Sequence, residues 1–359
     1  MLILSDQSEV ETEQFRSLFL PELEAIGYAG IFSPKSRAKT MSEEDRKYVD
    51  GCAIFWKYDK FEMDREHLIE FTQVAIKKAQ TSEHMLNRVM PRDNIALCAV
   101  LRIKENVYSS RRMAMSPNEN VVGNPLVVCT AHIHWDPEFC DVKLIQCMML
   151  VQEIGNLLDE ISEKYRIAPQ QTPVLICGDL NSLPESGKLN NFCDCFKWVY
   201  SRVELNECGI KNILGVFEFL SKGAIAKDHP DLKGFRDDPC LSRLSATDDP
   251  KVYTHGLRLD SAVDVNALPF TNYTLEFKGV IDYIFSTPQS LARLGVLGPL
   301  DMAWVQANKI IGFPHPHVPS DHVPIMAQYA IFPTSHQRSQ PSVHHYGSSH
   351  SSNYGAVGR

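Results

Sequence analysis

The run from Pro173 to Ser182 reads Pro-Val-Leu-Ile-Cys-Gly-Asp-Leu-Asn-Ser, and it narrows what this chain can become more than any other stretch. Four apolar residues, two of them β-branched, form a short buried strand. Gly178 lets the backbone turn at the strand's end. Asp179 and Asn181 stand two residues apart, on one side of an extended segment. A carboxylate can hold a metal ion or take a proton from water. A neutral amide beside it can hydrogen-bond a phosphate without repelling it. The pair suits metal-assisted attack on a phosphodiester.

At 359 residues the chain can bury a large core, and 44% apolar with 22% charged residues is the balance of an ordinary globular protein. The net charge of −8 argues against a broad, non-specific nucleic-acid surface. It leaves a nuclease possible, because carboxylates gathered round a divalent cation add negative charge that the ion partly neutralises. The ten cysteines form no C-x-x-C pair, and Cys98, Cys129 and Cys177 sit inside apolar runs. These are expected to be buried free thiols in a reducing compartment. No run reaches transmembrane length and Met1–Leu4 is too short for a signal peptide, so a cytoplasmic and additionally nuclear location, without membrane partners, is the expectation.

Strands are predicted at Cys52–Lys57, Ile95–Ile103, Leu126–Ala131, Val174–Cys177, Val280–Phe285 and Pro324–Phe332. A helix over Glu11–Ile26 should kink or split at Pro21. A second, over Asp141–Tyr165, carries an apolar stripe from Leu144 to Ile161, with Asp141 as its N-cap. Strands and helices spread along the whole chain fit an α/β sandwich, with two β-sheets face to face and helices outside. A doubly wound sheet is the competing architecture, but no G-x-G-x-x-G follows any strand. From Thr334 onward polar residues dominate, which predicts a domain over 1–333 and a disordered Ser/His-rich tail over 334–359.

Four further clusters accompany the Asp179 turn. His132 and His134 follow a strand and share one side of an extended segment. They lack the third ligand of a zinc site, so one is expected at a phosphate and the other in a structural hydrogen bond. Asp321-His322 precedes the last strand and offers an acid or base next to a cation. Standing alone it is equally a polar turn. Asp282 lies in a run that looks buried and needs a partner, and His322 is the obvious one. Glu9 alone is an acidic residue at a helix start.

The order of these clusters is more specific than any one of them. Glu9, His132, Gly178-Asp179-Leu180-Asn181, Ile281-Asp282-Tyr283 and Ser320-Asp321-His322, each at a strand end, resemble the endonuclease/exonuclease/phosphatase family. The resemblance runs from about Glu9 to Phe332 and implies a four-layer α/β sandwich, with two packed mixed sheets flanked by helices. Longer words narrow it: Ser33–Lys39, Val49–Phe55, His132–Glu138, Asn181–Gly187 and Thr271–Thr274 are similar to the carbon-catabolite-repressor-type deadenylases. Those are Mg²⁺-dependent nuclease subunits of the CCR–NOT complex that remove poly(A) from messenger RNA 3′-to-5′.

That resemblance implies roles position by position. Glu9, Asp179 and Asp321 match residues at a magnesium site of two ions. Asp179 activates or positions water, and Asn181 and His132 contact the scissile phosphate. His322, supported by Asp282, stabilises charge there. Pro137, Asn272 and Phe277 hold the terminal adenine, a task suited to ring faces and an amide. Asp45 replaces a glutamate that lies near the substrate in relatives. The match departs at the start. Relatives carry a strand before the glutamate, ending in Asn-Val-Leu, and a leucine-rich-repeat docking region. Here Ser8 is inserted between Gln7 and Glu9. The expectation is a truncated form lacking one N-terminal strand, in which a one-residue register slip would turn Glu9 away from the site. Alternatives are a related phosphoesterase acting on nucleotides or other RNA ends, and a poorly active isoform that serves as a binding module.

Overall fold

The strand that ends in Asp179 lies inside a six-stranded sheet in a computed structural model that describes residues 5–108, 120–184, 215–265 and 267–333. The expected tail over 334–359 lies outside those residues. The strands are β1 (Ser5–Glu11), β2 (Tyr28–Pro34), β3 (Asp50–Lys57), β4 (Phe61–Glu70), β5 (Ile95–Ile103), β6 (Pro125–His132), β7 (Val174–Asp179), β8 (Ala224–Ala226), β9 (Val252–Thr254), β10 (Asp260–Ser261), β11 (Asn272–Tyr273), β12 (Lys278–Gly279), β13 (Asp282–Ser286), β14 (Leu291–Val296) and β15 (Ala327–Ile331). The large sheet runs β10-β13-β7-β6-β5-β4. It is mixed: β6 and β7 are parallel, joined by the long helix Cys140–Tyr165, and its other neighbours are antiparallel.

Alternation along the central strands divides two cores. Leu97, Ala99 and Leu101 of β5, Leu126 and Val128 of β6, and Leu175 and Cys177 of β7 meet Ile31, Cys52, Ile54 and Trp56 of the three-stranded sheet β1-β3-β2. Cys98, Val100, Val127, Cys129 and Ile176 face the other way, onto the helices Phe71–Ala79, Cys140–Tyr165 and Gly215–Lys222. On the far side of the small sheet, Val10 and Phe55 pack under Phe15. Helix, sheet, sheet and helix give the four layers expected from sequence. Strands covered on both faces read as continuous apolar runs, which is why they were legible. Cys52, Cys98, Cys129 and Cys177 are buried thiols outside any disulfide. Among the described residues no helix is long and apolar enough to cross a membrane.

Several local expectations need correction. The first helix does not split at Pro21. It runs through Thr12–Gln14, a π-helical turn at Phe15–Phe19 and Leu20–Ala25. The wider turn precedes the proline and spares the chain a break, and Pro21 opens the last segment, where its missing N–H costs least. The long helix is not capped by Asp141. Its N-cap is Phe139, and the buried Asp141 carboxylate accepts from Arg88 Nε (2.6 Å) and Nη2 (2.9 Å). The ten-residue β4 was missed because it is an edge strand. Its Glu62, Asp64 and Arg65 make ion pairs with Arg102, Lys164 and Glu160 instead of filling a core. In the thinner layer, β1 pairs with β3, and β14 pairs with β15 in a separate two-stranded sheet.

Candidate active site

His132 and Asp179 end the two parallel strands β6 and β7 and sit side by side in the register. Asp282 opens β13 on the other flank of β7 and is the direct partner of Asp179. The carboxyl ends of adjacent parallel strands are where open α/β sheets place ligands. Gly178 works differently from its sequence reading. It lies inside β7 with φ +137°, and a Cβ there would stand 2.0 Å from the Ala131 carbonyl oxygen of β6. It permits close strand approach, and the turn itself falls at Asn181, with φ 46°. Asp179 and Asn181 are gathered by an Asx-type turn instead of strand alternation. The Asn181 N–H donates to Asp179 Oδ1 (2.7 Å), and its Nδ2 donates to the Ile133 carbonyl (3.0 Å).

The loop carrying Asp321 and His322 is stitched to β11. Tyr273 N donates to Asp321 O (2.9 Å) and Val323 N to Thr271 O (2.7 Å). His322 Nδ1 faces both carboxylate oxygens of Asp282, at 3.0 and 2.9 Å. Burial alone would lower the His322 pKa. The hydrogen bond and charge of Asp282, with Asp179 and Asp321 nearby, outweigh it and raise the ring to about 9. His322 is therefore an imidazolium at neutral pH. Asp179 is buried, and burial followed by the charge of Asp282 pushes its carboxyl well above the usual range.

Glu9 closes the site from the small sheet. Gln7 pairs with Ala53 but Val10 with Gly51, so three steps on β1 span two on β3. β1 therefore carries one residue more than β3 across this stretch, taken up at a bulge or irregularity between Gln7 and Val10, and the Glu9 side chain still reaches the centre. Its Oε1 lies 3.6 Å from His132 Nε2, and Asp179 Oδ2 lies 3.8 Å from the same nitrogen. The surrounding cleft walls partly desolvate the Glu9 carboxyl and raise its pKa, opposed by the charges of His322 and Lys35, although the side chain stays largely exposed.

The two histidines of the β6 end part company. His132 is buried and turned to the acidic centre. β6 stops there, so His134 does not share its direction. His134 packs edge-on against Phe139, its backbone N–H donates to Gln146 Oε1 (2.9 Å), and burial with the Arg92 and Lys143 charges lowers its pKa to about 4. Its ring Nε2 is buried without a hydrogen-bond partner among the described residues, and no described contact joins it to the acidic centre. Asn272 is buried and donates through Nδ2 to Asp321 Oδ2 (3.1 Å). Phe277 is half-buried in a turn closed by Thr274, and Pro137 is exposed at the start of the short helix Pro137–Phe139. Asp45 stands apart. It lies on the exposed helix Glu43–Arg46, where Ser42 donates to its carboxylate (2.7 Å), and no described contact joins it to the acidic centre.

Some supporting residues gave little sign in the sequence. Thr271 Oγ1 accepts from the N–H groups of Ile281 (2.9 Å) and Asp282 (3.0 Å) and so sets the start of β13. Asn94 Nδ2 holds the His132 carbonyl (3.0 Å), and Gln146 holds Asn94. The one available signal was Gln146, a polar residue within an apolar helical run.

Asp179, Asp282 and His322 each place a potential ligand atom within 4.8 Å of the others. The protonated ring of His322 is spoken for by Asp282, so the oxygens of Asp179 and Glu9 are the better donors. The donor set is hard, and the raised Asp179 carboxyl is the kind of strain that a cation relieves. The residues present fit a divalent metal ion.

Two packed sheets thus bring an acidic, imidazolium-bearing centre together at their strand ends. The endonuclease/exonuclease/phosphatase family profile matches residues 8–322, and the chain belongs to that family. It is 41% identical over 333 residues to CCR4-NOT transcription complex subunit 6-like-B of Xenopus laevis, an alignment covering 90% of this chain and 55% of that protein. It is 36% identical over 340 residues to the CCR4-Not complex 3′-5′-exoribonuclease subunit Ccr4 of Mycosarcoma maydis, covering 90% and 43%. The chain thus spans about half the length of the curated relatives it matches. Among solved structures, ANGEL2, a 2′,3′-cyclic phosphatase in complex with adenosine-2′,3′-vanadate, superposes with a TM-score of 0.60 at 19% identity, covering 91% of this chain and 81% of that one, a likeness of fold.

Proposed function

We propose that this chain is a Mg²⁺-dependent 3′-to-5′ exoribonuclease that shortens poly(A), and that it acts with the CCR4-NOT assembly its relatives are named for. The observation that carries the chemistry is the His322–Asp282 ion pair set against the Asp179–Asn181 turn. His322, held protonated by Asp282, places positive charge where a non-bridging phosphate oxygen gathers negative charge. Asp179, with its basicity raised by burial, accepts a proton from water attacking the phosphorus. The bond from phosphorus to the 3′-oxygen of the preceding nucleotide breaks, and that oxygen leaves to take a proton from solvent, releasing a 5′-nucleotide. The Asn181 amide and His132 orient the phosphate, and Asn272, Phe277 and Pro137 receive the terminal base. Magnesium, as two ions held by Glu9, Asp179 and Asp321, would supply Lewis-acid stabilisation of the phosphoryl oxygens.

The test is a 5′-labelled oligo(A) incubated with this chain and with its Asp179→Ala variant, with and without Mg²⁺. The expected result is an adenine-selective ladder that requires both, with the variant slower by roughly a hundred- to ten-thousandfold. Equal trimming of all homopolymers would remove the poly(A) assignment, and turnover that ignores Asp179 would remove the mechanism.

A further inference from the structure

The first turns of the helix Cys140–Tyr165 bury two charged residues. Asp141 is matched by Arg88. Lys143 has no carboxylate partner in an ion pair among the described residues. Its side chain is almost fully buried, and its Nζ donates to the backbone carbonyl of Asn181 (2.8 Å). An ammonium kept from water with one neutral acceptor is a costly way to fill space, since a methionine would occupy much the same volume without charge. What the charge touches is the turn on which the site depends.

Asn181 sits at positive φ, a region that asparagine enters more readily than other non-glycine residues. Three hydrogen bonds hold it there. Its N–H is held by Asp179 Oδ1, its side-chain amide by the Ile133 carbonyl, and its carbonyl by Lys143. The first two tie the turn to the site and to the end of β6. The third ties it to the long helix, outside the sheet. An amide nitrogen carries two hydrogens, and the Ile133 carbonyl takes one.

We propose that Lys143 is a positioning residue for the phosphodiester chemistry: by pinning the Asn181 peptide it keeps the second amide N–H of Asn181 and the Asp179 carboxylate facing the cleft together. Lys143 does not touch the substrate and acts through the turn. The inference rests on the phosphodiesterase reading of the site, but not on the preference for adenine. Burial, partly offset by the charge of Asp179, lowers the lysine's pKa to about 8, which agrees with a cation confined beneath an acidic centre.

The test compares the wild type with Lys143→Met and Lys143→Arg on 5′-labelled oligo(A) and on bis(p-nitrophenyl) phosphate, a phosphodiester without a base. Thermal midpoints and amide hydrogen exchange over residues 179–183 are measured on the same samples. The expected result is a Lys143→Met protein with an unchanged or higher midpoint and faster exchange in the turn. Its kcat falls roughly 10- to 100-fold on both substrates while KM changes little, as misplacement of reacting groups predicts. Lys143→Arg, which keeps a donor, recovers part of kcat and of the protection. Wild-type kcat in Lys143→Met overturns the proposal, as does unchanged exchange in the turn. Loss of kcat only in step with a lowered midpoint, in both variants, also overturns it and makes Lys143 a stability residue. Hydrolysis of the small diester without trimming of oligo(A) overturns the RNA reading alone. If the wild type hydrolyses neither, both readings fall.

Discussion

The cleft has a floor and a rim, built from the two facing sheets by different means. The floor is the Gly178–Asn181 turn of the six-stranded sheet. It is buried, pressed against β6, and tied to β6, to β13 and to the long helix. The rim is Glu9, whose side chain is 59% exposed, on a strand with a bulge at that point. One wall is over-determined by contacts and tolerates almost no change. The other is held by a few backbone pairs and has absorbed an additional residue. Rigid placement is concentrated where the phosphate chemistry needs it, and the opposite carboxylate can be carried by a looser element because a metal ion would help to position it.

Substitutions that treat the two walls alike should therefore give unequal results. The largest effect is expected for Gly178→Ala. Its new methyl would meet the Ala131 carbonyl at positive φ, and a loss of at least about 3 kcal/mol should appear in chemical denaturation. A midpoint near wild type would show that the floor is less tightly packed than the geometry states.

Next comes pH. The folded-state pKa of His322 is raised from 6.5 to about 9, so the native state keeps its proton longer than the unfolded chain. The stability from the His322–Asp282 pair is fully present below pH 6.5 and is lost as pH rises through 9. Lys143, lowered to about 8, works in the opposite sense above that pH, and the raised Asp179 carboxyl works in the same sense as His322, so the comparison with His322→Gln between pH 6.5 and 8 is what assigns the slope. In EDTA, a fall on the order of 1–2 kcal/mol across that window is expected, and His322→Gln should flatten the curve. An equal slope in the variant would assign the titration to another group.

On the rim, Glu9→Gln should leave stability within about 0.5 kcal/mol, as an exposed site allows. It should nevertheless shrink the rise in thermal midpoint that Mg²⁺ produces by binding the native state. A full magnesium shift in the variant would remove Glu9 from the metal site. The smallest effect is expected for deletion of Ser8. The Val10–Gly51 pairing lies after the bulge and keeps Glu9 in place, so no more than roughly 1 kcal/mol should be lost and cleavage should persist. Loss of cleavage with the fold intact would mean that the bulge itself aims Glu9.

Much of the fold was legible because β5, β6 and β7 are covered on both faces, and such strands must be written in apolar residues. β4 was not legible, since an edge strand satisfied by ion pairs leaves no such trace. In the site, Asp179, Asn181, His132, Asp282 and His322 were named from sequence, and the structure gathers them with Glu9. Asp45 was named too and stays at the surface, engaged with its own helix cap. From spacing alone His134 could not be told from His132, because spacing does not reveal where a strand stops; only the family resemblance singled out His132. Thr271, Asn94 and Lys143 carry no chemistry that a sequence advertises. Their work is one or two hydrogen bonds to backbone groups on other segments of the chain.

By itself, the amino-acid sequence determined the layered α/β class and the chemical kinds of group available for phosphodiester cleavage. Both follow from local patterning and residue type. Only the tertiary structure decided how the Gly178–Asn181 turn works. Its glycine serves strand contact, its asparagine makes the turn, its aspartate is strained by burial, and its shape is held by a lysine one helix away. Those properties depend on distances between segments remote in the chain, and packing alone sets such distances.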